Sequence, residues 1–266
     1  MATPLRWPSE AIWQEVEPAL PGFTVEVLPE VDSTNSELMR RARAGQTDPV
    51  LLVAERQTAG RGRMGRQWAS GADSGALALT FSMGLQLAPA DWSGLSLAVG
   101  VAVAQSLHPD IRLKWPNDLW WHDRKLAGIL IETANWTTAS TSRYVVVGVG
   151  LNIQTPPASD FSTAPAGLAE LLPGMDATQV LHRVVGPLVR SLKTFESLGF
   201  APFQLPFKAI DALAQVPVVL TNGVQGQAQG VDRSGALRVA TAQGLQLVTS
   251  SEVSVRVQPT PGDVAI

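Results

Sequence analysis

Residues 57–68 read Gln-Thr-Ala-Gly-Arg-Gly-Arg-Met-Gly-Arg-Gln-Trp and form the most distinctive stretch of the chain. Three arginines alternate with three glycines between Gly60 and Arg66. Glycine lets backbone amides approach a ligand closely, and the forked guanidinium group suits carboxylate and phosphate oxygens. The pattern predicts a flexible loop that closes on an anion. An arginine-rich nucleic-acid contact or a solvated turn is the alternative, and the Gly-Lys-Ser/Thr ending of a P-loop is absent from the stretch.

Apolar segments on both sides of this loop predict strands at residues 50–55 and 76–83. Upstream, residues 24–28 alternate in polarity and predict another strand. A helix of about ten residues should follow, because Thr34 and Glu37 fit a capping box and Gly45 fits a C-terminal cap.

Downstream of the loop, hairpins are mixed with helices, which is typical of the α+β class. From about residue 216, short β-runs alternate with glycine turns and predict a small barrel. We therefore expect two domains, residues 1–212 and 213–266. The elements predicted between the loop and the barrel are a buried helix at 95–107, a strand at 111–115, a hairpin at 119–121 and 125–132, a strand at 144–153 and a helix at 178–198.

The composition excludes several classes of protein. The chain has 266 residues, no cysteine, three histidines and a formal net charge of −3. Disulfides, thiolate metal sites and a cysteine nucleophile are therefore ruled out, and a histidine-rich metal site is not expected. The slightly acidic balance does not suit bulk nucleic-acid binding, and the longest apolar stretch, near residues 95–104, is too short to span a bilayer.

Three further segments could carry chemistry. Lys114-Trp115-Pro116-Asn117-Asp118 places a polar turn after a strand, although an ordinary turn has the same composition. Lys125 opens an apolar strand that contains Gly128, and a solvated lysine at a strand end is the alternative. Gly148 and Gly150 leave one face of a strand without side chains, which suits either close ligand approach or a bulge.

Taken in order and spacing, these segments resemble the biotin protein ligases, also called biotin–[acetyl-CoA-carboxylase] ligases or holocarboxylase synthetases. The resemblance runs from about residue 24 to the end of the chain. Its most specific parts are the Gly/Arg loop and Lys-Trp-Pro-Asn-Asp, since the related lipoate ligases lack that loop sequence. The matching segments are residues 32–35, 57–68, 114–118, 124–130, 148–152 and 230–237.

The resemblance implies an α+β fold in which a class II synthetase-like catalytic domain with a mixed sheet precedes an SH3-like β-barrel. It implies activation of biotin by ATP, with Mg²⁺, to biotinyl-5′-AMP, followed by transfer to a lysine of a biotin carboxyl carrier protein. Lipoate or octanoate transfer on the same fold is the alternative enzyme activity. A binding module that grips RNA through the Arg loop is the alternative from another class.

The resemblance also implies site residues. Arg63, Lys125 and Asp118 are expected to be catalytic: Arg63 holds the loop over the adenylate, Lys125 bridges the biotin carboxylate and the α-phosphate, and Asp118 orients the acceptor lysine or takes its proton. Protein ligands for a metal are not expected. The residues expected to bind biotin or the nucleotide are Ser33, Thr34, Asn35, Gln57, Arg61, Gly62, Arg63, Trp68, Lys125, Gly128, Gly148, Gly150 and Asn152.

Within this set, Ser33, Thr34, Asn35 and Gln57 are expected to bind biotin. Trp68 is expected to cover the adenine and Asn152 to contact the nucleotide. Because the biotin motif begins at Asp32, we expect no DNA-binding head. We further expect a cytoplasmic enzyme without nucleic-acid or membrane partners, with a homodimer as a possible assembly.

Overall fold

The computed structural model describes residues 5–68, 77–134, 142–157, 163–249 and 255–257. Residue 76, at the start of a predicted strand, lies outside these ranges. The helices are α1 (Ser9–Val16), α2 (Thr34–Arg43), α3 (Leu95–Leu107), α4 (Ala177–Leu198) and α5 (Gln204–Ile210).

Seven strands form a mixed sheet in the spatial order β1-β2-β3-β7-β6-β5-β4. The pair β1–β2 is parallel, and the other neighbours in the sheet are antiparallel. The mixed sheet with helices confirms the predicted α+β class. The strands are β1 (Thr24–Val31), β2 (Val50–Gln57), β3 (Ala78–Leu87), β4 (Arg112–Lys114), β5 (Asp118–Trp121), β6 (Arg124–Ala134) and β7 (Arg143–Asn152).

The two faces of this sheet are covered by different helices. Val147 and Val149 of β7 belong to the large core that also contains residues of α3 and α4. Val146, which precedes Val147 in the strand, belongs instead to a smaller cluster with Leu38 of α2. Because successive side chains of a strand point to opposite faces, Gly148 and Gly150 lie on the α2 face. That face therefore has a stretch without side chains.

The hairpin between β5 and β6 turns at His122 and Asp123, as the sequence predicts. Both residues have positive φ angles, of 47° and 59°. Two consecutive residues with positive φ are typical of the type I′ turn that joins tight hairpins.

The C-terminal part forms a second, antiparallel sheet of five strands in the order β11-β10-β9-β8-β12, which is consistent with an SH3-like barrel. Residues of both sheets belong to one buried core. In addition, Trp115 Nε1 donates to the carbonyl of Gly235 at 3.0 Å. The strands are β8 (Pro217–Leu220), β9 (Gln225–Val231), β10 (Leu237–Thr241), β11 (Gly244–Val248) and β12 (Val255–Val257).

The sequence predicted neither α1 nor α5. Both are short, at eight and seven residues, and helices of this length are unstable without tertiary packing. The buried side chains of α1, Ile12 and Val16, are part of the large core. Among the described residues, no helix has the length and apolar character needed to cross a bilayer.

Candidate active site

A cavity of about 780 Å³ opens on the α2 face of the seven-stranded sheet. It lies over the strand positions where Gly128, Gly148 and Gly150 leave the sheet without side chains. All of the residues predicted as site residues line this one cavity. They are Ser33, Thr34, Asn35, Gln57, Arg61, Gly62, Arg63, Trp68, Asp118, Lys125, Gly128, Gly148, Gly150 and Asn152.

The start of α2 forms one wall of the cavity. Ser33 is the N-cap, because its backbone is extended and its side chain accepts a hydrogen bond from the Ser36 amide at 3.4 Å. The prediction of Thr34 as the cap was therefore wrong by one residue. Asp32 supports this turn by accepting from the Ser33 amide at 2.7 Å and from Arg40 at 2.7 Å. The guanidinium of Arg40 and the Ser33 amide hold the pKa of Asp32 below its usual value.

The hydroxyl of Thr34 faces the neutral amide of Gln57. Gln57 Oε1 accepts from the backbone amide of Thr34 at 2.8 Å and from its hydroxyl at 3.1 Å. The Ser82 hydroxyl donates to Thr34 Oγ1 at 2.7 Å or to Asn35 Oδ1 at 2.6 Å. The wall is thus built from neutral donors and acceptors that are already fixed in position.

Asn35 lies across the sheet above Gly148. Its amide nitrogen donates to the carbonyl of Leu130 at 3.2 Å and to Glu132 at 3.0 Å. A Cβ atom at position 148 would collide with the Asn35 carboxamide. Gly148 is therefore required by the packing of Asn35, whichever ligand the cavity takes.

The Gly/Arg loop closes on itself. The Gly62 amide donates to the Arg66 carbonyl at 2.7 Å, and the Trp68 amide donates to the Gly60 carbonyl at 2.9 Å. Between these contacts a 3₁₀ turn runs from Arg63 to Gly65, with Met64 at a φ of 56°. Such a φ angle is uncommon for a residue with a side chain. The loop is therefore an ordered structure in which the two arginines that flank Gly62 are held at different places.

The guanidinium of Arg61 is paired with Glu132. Arg61 Nη2 lies 3.0 Å from Glu132 Oε1, and Nη1 donates to the Ser36 hydroxyl at 3.2 Å. About 47% of the Arg61 side chain is exposed.

Arg63 extends into the cavity and is half-buried. Its Nη1 donates to Asn117 Oδ1 at 3.2 Å, and Asn117 in turn donates to the carbonyl of Ile129 at 2.7 Å. Burial lowers the pKa of Arg63 from its ordinary value, and the negative charge of Asp118 acts in the opposite direction. An arginine is so strongly basic that its guanidinium stays charged in proteins. A partly desolvated cation that faces a cavity is suited to binding an anion.

Lys125 and Asp118 form an ion pair inside the cavity, with Nζ 2.8 Å from Oδ1. This distance is that of a direct contact between an ammonium and a carboxylate oxygen. The backbone of Lys125 is fixed by neighbouring chain: its amide donates to Ala164 at 2.8 Å, and its carbonyl accepts from Ala166 at 2.9 Å.

The indole ring of Trp68 occupies the space that two glycines of the sheet leave free. A Cβ atom at Gly150 would collide with the indole ring, and one at Gly128 would come within 3.3 Å of it. Lys125 Nζ lies 5.8 Å from the ring centroid. Within the described residues the buried Nε1 of Trp68 has no hydrogen-bond partner.

Asn152 is buried, and both of its amide protons are used by the protein. It donates to the carbonyls of Lys125 at 3.3 Å and Ala166 at 3.0 Å. It therefore ties β6, at Lys125, to the segment that contains Ala166. A contact to a nucleotide is left to its side-chain oxygen.

The sequence did not single out Asn117 or Glu132 as individual site residues. Asn117 was quoted only within the Lys-Trp-Pro-Asn-Asp motif. Glu132 carries a signal that could have found it, because it follows Gly128 and Leu130 at a period of two and so faces the same side of the sheet. The structure describes no cluster of three or more His, Asp or Glu side chains that could hold a metal ion.

Family models match both parts of the chain. The biotin/lipoate A/B protein ligase family matches residues 27–152, and the biotin protein ligase C-terminal domain matches residues 215–256. The chain is 34% identical to the bifunctional ligase/repressor BirA of Escherichia coli, over 89% of this chain and 75% of that protein. It is 31% identical to the biotin–[acetyl-CoA-carboxylase] ligase of Mycobacterium tuberculosis, over 86% of this chain and 88% of that protein.

Solved structures show the same similarity. A biotin protein ligase from Aquifex aeolicus in complex with biotin and ATP superimposes with a TM-score of 0.74 at 28% identity, covering 88% of this chain and 99% of the other. The sequence matches, the fold and the cavity agree with one another, and the chain belongs to the biotin protein ligase family.

Proposed function

We propose that this protein is an ATP-dependent biotin–[acetyl-CoA-carboxylase] ligase. It activates biotin with ATP to biotinyl-5′-AMP and transfers the biotin to a lysine of a biotin carboxyl carrier protein. The observation that carries this proposal is one cavity, which a neutral polar wall shares with several cations, Arg63 and Lys125 among them, and with the carboxylate of Asp118. The membership of the family and the biotin- and ATP-bound relative support the same activity.

The first half-reaction joins two anions. A biotin carboxylate oxygen attacks the α-phosphorus of ATP, the bond to the bridging oxygen breaks, and pyrophosphate leaves. Positive charge must neutralise both partners. We assign this neutralisation to Lys125 and Arg63, since both line the cavity and Arg63 extends into it from the loop. Mg²⁺ bound to the ATP phosphates would supply further positive charge.

Biotin would bind at the start of α2. Ser33, Thr34, Asn35 and Gln57 present neutral donors and acceptors, which suit the neutral urea of the ureido ring. The aliphatic head of octanoate offers no partner to such groups, and buried polar groups without partners are costly. This wall therefore supports biotin over lipoate or octanoate, and competition between biotin and lipoate in the assay tests the choice.

The adenine would lie against Trp68, which covers the bare strand positions at Gly128 and Gly150. Arg63 would then hold the loop over the adenylate and keep water from the mixed anhydride. Asn152 would act mainly by fixing the strand that carries Lys125, in addition to any contact with the nucleotide.

In the second half-reaction, the acceptor lysine attacks the acyl carbon and AMP leaves. The lysine must first lose a proton, and Asp118 is the carboxylate in the cavity closest to Lys125. We assign to it the orientation of the incoming amine or the acceptance of its proton.

The remaining features of the proposal concern organisation. Residues 1–212 would form the catalytic domain and residues 213–266 the SH3-like barrel. The enzyme would act in the cytoplasm on its carrier protein, as a monomer or a homodimer, without binding nucleic acid or membrane. A gel shift at physiological salt tests whether the protein binds nucleic acid. A sedimentation measurement tests whether it is a monomer or a homodimer.

The decisive experiment uses ATP, Mg²⁺, biotin and an apo carrier domain, followed by streptavidin detection. We expect carrier labelling that depends on both biotin and ATP. Absence of labelling with a carrier that another biotin ligase can label would refute the proposed function.

A further inference from the structure

Arg61 is held between two elements of the fold. On one side Glu132 of β6 contacts it through both carboxylate oxygens, at 3.0 Å and 3.3 Å. On the other side the Ser36 hydroxyl of α2 accepts from it at 3.2 Å. These contacts hold the Arg61 guanidinium between β6 and α2, beside the residues assigned to biotin.

The same carboxylate reaches the polar wall. Glu132 Oε2 accepts from Asn35 Nδ2 at 3.0 Å as well as from Arg61. An ionised carboxylate can accept about four hydrogen bonds, so one side chain can serve both partners at once. A neutral glutamine has only one acceptor oxygen, and its NH₂ group faces a guanidinium unfavourably.

The residue before Arg61, Gly60, lies beside Gln57 of the polar wall. Gly60 is buried, and a Cβ atom there would come within 3.0 Å of Gln57 Nε2 and would collide with the Trp68 carbonyl. Arg61 itself bridges to Gln67 across the loop. Fixing the Arg61 side chain therefore fixes the base of the loop against the polar wall.

We propose that Glu132 is a positioning residue for biotin, acting through Arg61 and Asn35. This inference rests on the proposed function, because it adds to that site a residue that holds the biotin-binding wall in position.

The test compares Glu132→Gln, Arg61→Gln and the double variant with the wild type. We expect each single variant to raise the KM for biotin about tenfold, the effect of losing a hydrogen bond to a charged group. The KM for ATP and the kcat should stay within about twofold. The double variant should be no worse than the poorer single variant, because both changes remove one contact.

Biotin binding in the absence of any nucleotide gives a second measurement. By calorimetry, Glu132→Gln and Arg61→Gln should weaken it by the same factor as in the kinetic assay. Glu15→Gln is the matched control, since it removes the ion pair between Glu15 and Arg190 on the α1–α4 side of the molecule, at 3.1 Å. It should leave both substrates unaffected, and circular dichroism melting confirms that each variant is folded.

Two results would overturn the inference. One is an Arg61→Gln variant with normal biotin binding and a raised KM for ATP or a lowered kcat, which would place Arg61 on the phosphates. The other is additive losses in the double variant. A wild-type protein that forms no biotinyl-adenylate would instead refute the proposed function, so the two failures are distinguishable.

Discussion

Lys125 Nζ lies 2.8 Å from Asp118 Oδ1 across the β5–β6 hairpin, so the cation and the carboxylate of the site neutralise each other without ligand. About 30% of the lysine side chain and 20% of the aspartate side chain are exposed. In the proposed mechanism the ammonium turns towards the anionic substrate and leaves Asp118 to meet the acceptor amine. The proposal thus connects the two half-reactions through one pair of residues.

Replacing Lys125 by alanine should abolish most adenylate formation. In the proposed mechanism the ammonium acts where charge develops between the carboxylate and the phosphorus, and loss of one such group lowers kcat by about 10²- to 10³-fold. Pyrophosphate release measures the effect. Lys208→Ala, at an exposed position of α5, is the matched control and should retain full activity. A Lys125→Ala rate within tenfold of the wild type would contradict the role given to the ammonium.

Replacing Arg63 by alanine should release the adenylate from the site. Without the half-buried guanidinium the loop loses its contact with Asn117 and its hold over the phosphate, so biotinyl-5′-AMP diffuses away. The measurement is biotin labelling of a bystander protein, which should rise relative to carrier labelling. Arg233→Ala, in an exposed turn of the C-terminal part, should label only the carrier. Tight retention by the Arg63 variant would show that the loop is closed by other contacts.

Replacing Gly150 by alanine should weaken ATP binding with little effect on biotin. The added Cβ atom would collide with the indole of Trp68 and push the ring from the place where it would cover adenine. Stacking of a base on an aromatic ring contributes about 1–3 kcal/mol, so the KM for ATP should rise about five-fold or more. Trp68→Ala should give a similar rise, and Trp68→Phe a smaller one. An unchanged KM for ATP in all three variants would show that adenine does not stack on Trp68.

Glu170 should contribute to stability in a way that is lost in acid. Arg124, the Gly167 amide and the Thr155 hydroxyl lower the pKa of Glu170 to about 2, from an ordinary value of 4.5. A lowered pKa in the folded state stabilises the protein above the unfolded value. The contribution is therefore complete above about pH 5 and disappears as the pH falls towards 2.

The measurement is urea unfolding of the wild type and Glu170→Gln at pH 7, 5 and 3. The difference in the free energy of unfolding should be similar at pH 7 and 5 and smaller at pH 3. Because the carboxylate is exposed, its magnitude should be that of a surface ion pair. A difference that grows in acid would contradict the assigned direction.

Asp211 should have the opposite effect on stability. It directly follows α5 and is bridged to Leu113 of β4, and burial raises its pKa to about 6 while a hydrogen bond from the Leu213 amide acts in the other direction. A raised pKa means that the folded state binds a proton more tightly, so stability falls as the pH rises from about 4 to 6.

The variant Asp211→Asn keeps an oxygen for the Leu213 amide and removes the buried charge. At pH 7 it should raise the melting temperature, and at pH 4 it should have little effect. The rise of the Asp211 pKa from 3.8 to about 6 sets an upper limit of about 3 kcal/mol on the gain in the free energy of unfolding at pH 7. A variant that is less stable at pH 7 would show that the charge is compensated in the folded protein.

The sequence by itself determined the α+β class and the strands that surround the Gly/Arg loop, and its resemblance to the biotin protein ligases implied the set of residues that meet at the cavity. The patterns behind the fold predictions are local. Glycines at a period of two mark a bare strand face, and the Ser33–Asn35 segment marks a helix start whose cap lies one residue earlier than predicted. Side-chain alternation then directs Gly128, Gly148 and Gly150 to one side of the sheet.

Only the tertiary structure decided which partner each side chain takes. The spacing of Arg61 and Arg63 in the sequence does not show which partner each arginine takes. In the structure Arg61 pairs with Glu132, 71 residues away, and Arg63 donates to Asn117. The short helices α1 and α5 likewise depend on packing that no local pattern records. Contacts between residues far apart in the chain form only when the strands and helices pack together. The partners of Arg61 and Arg63 therefore could not be predicted from the sequence.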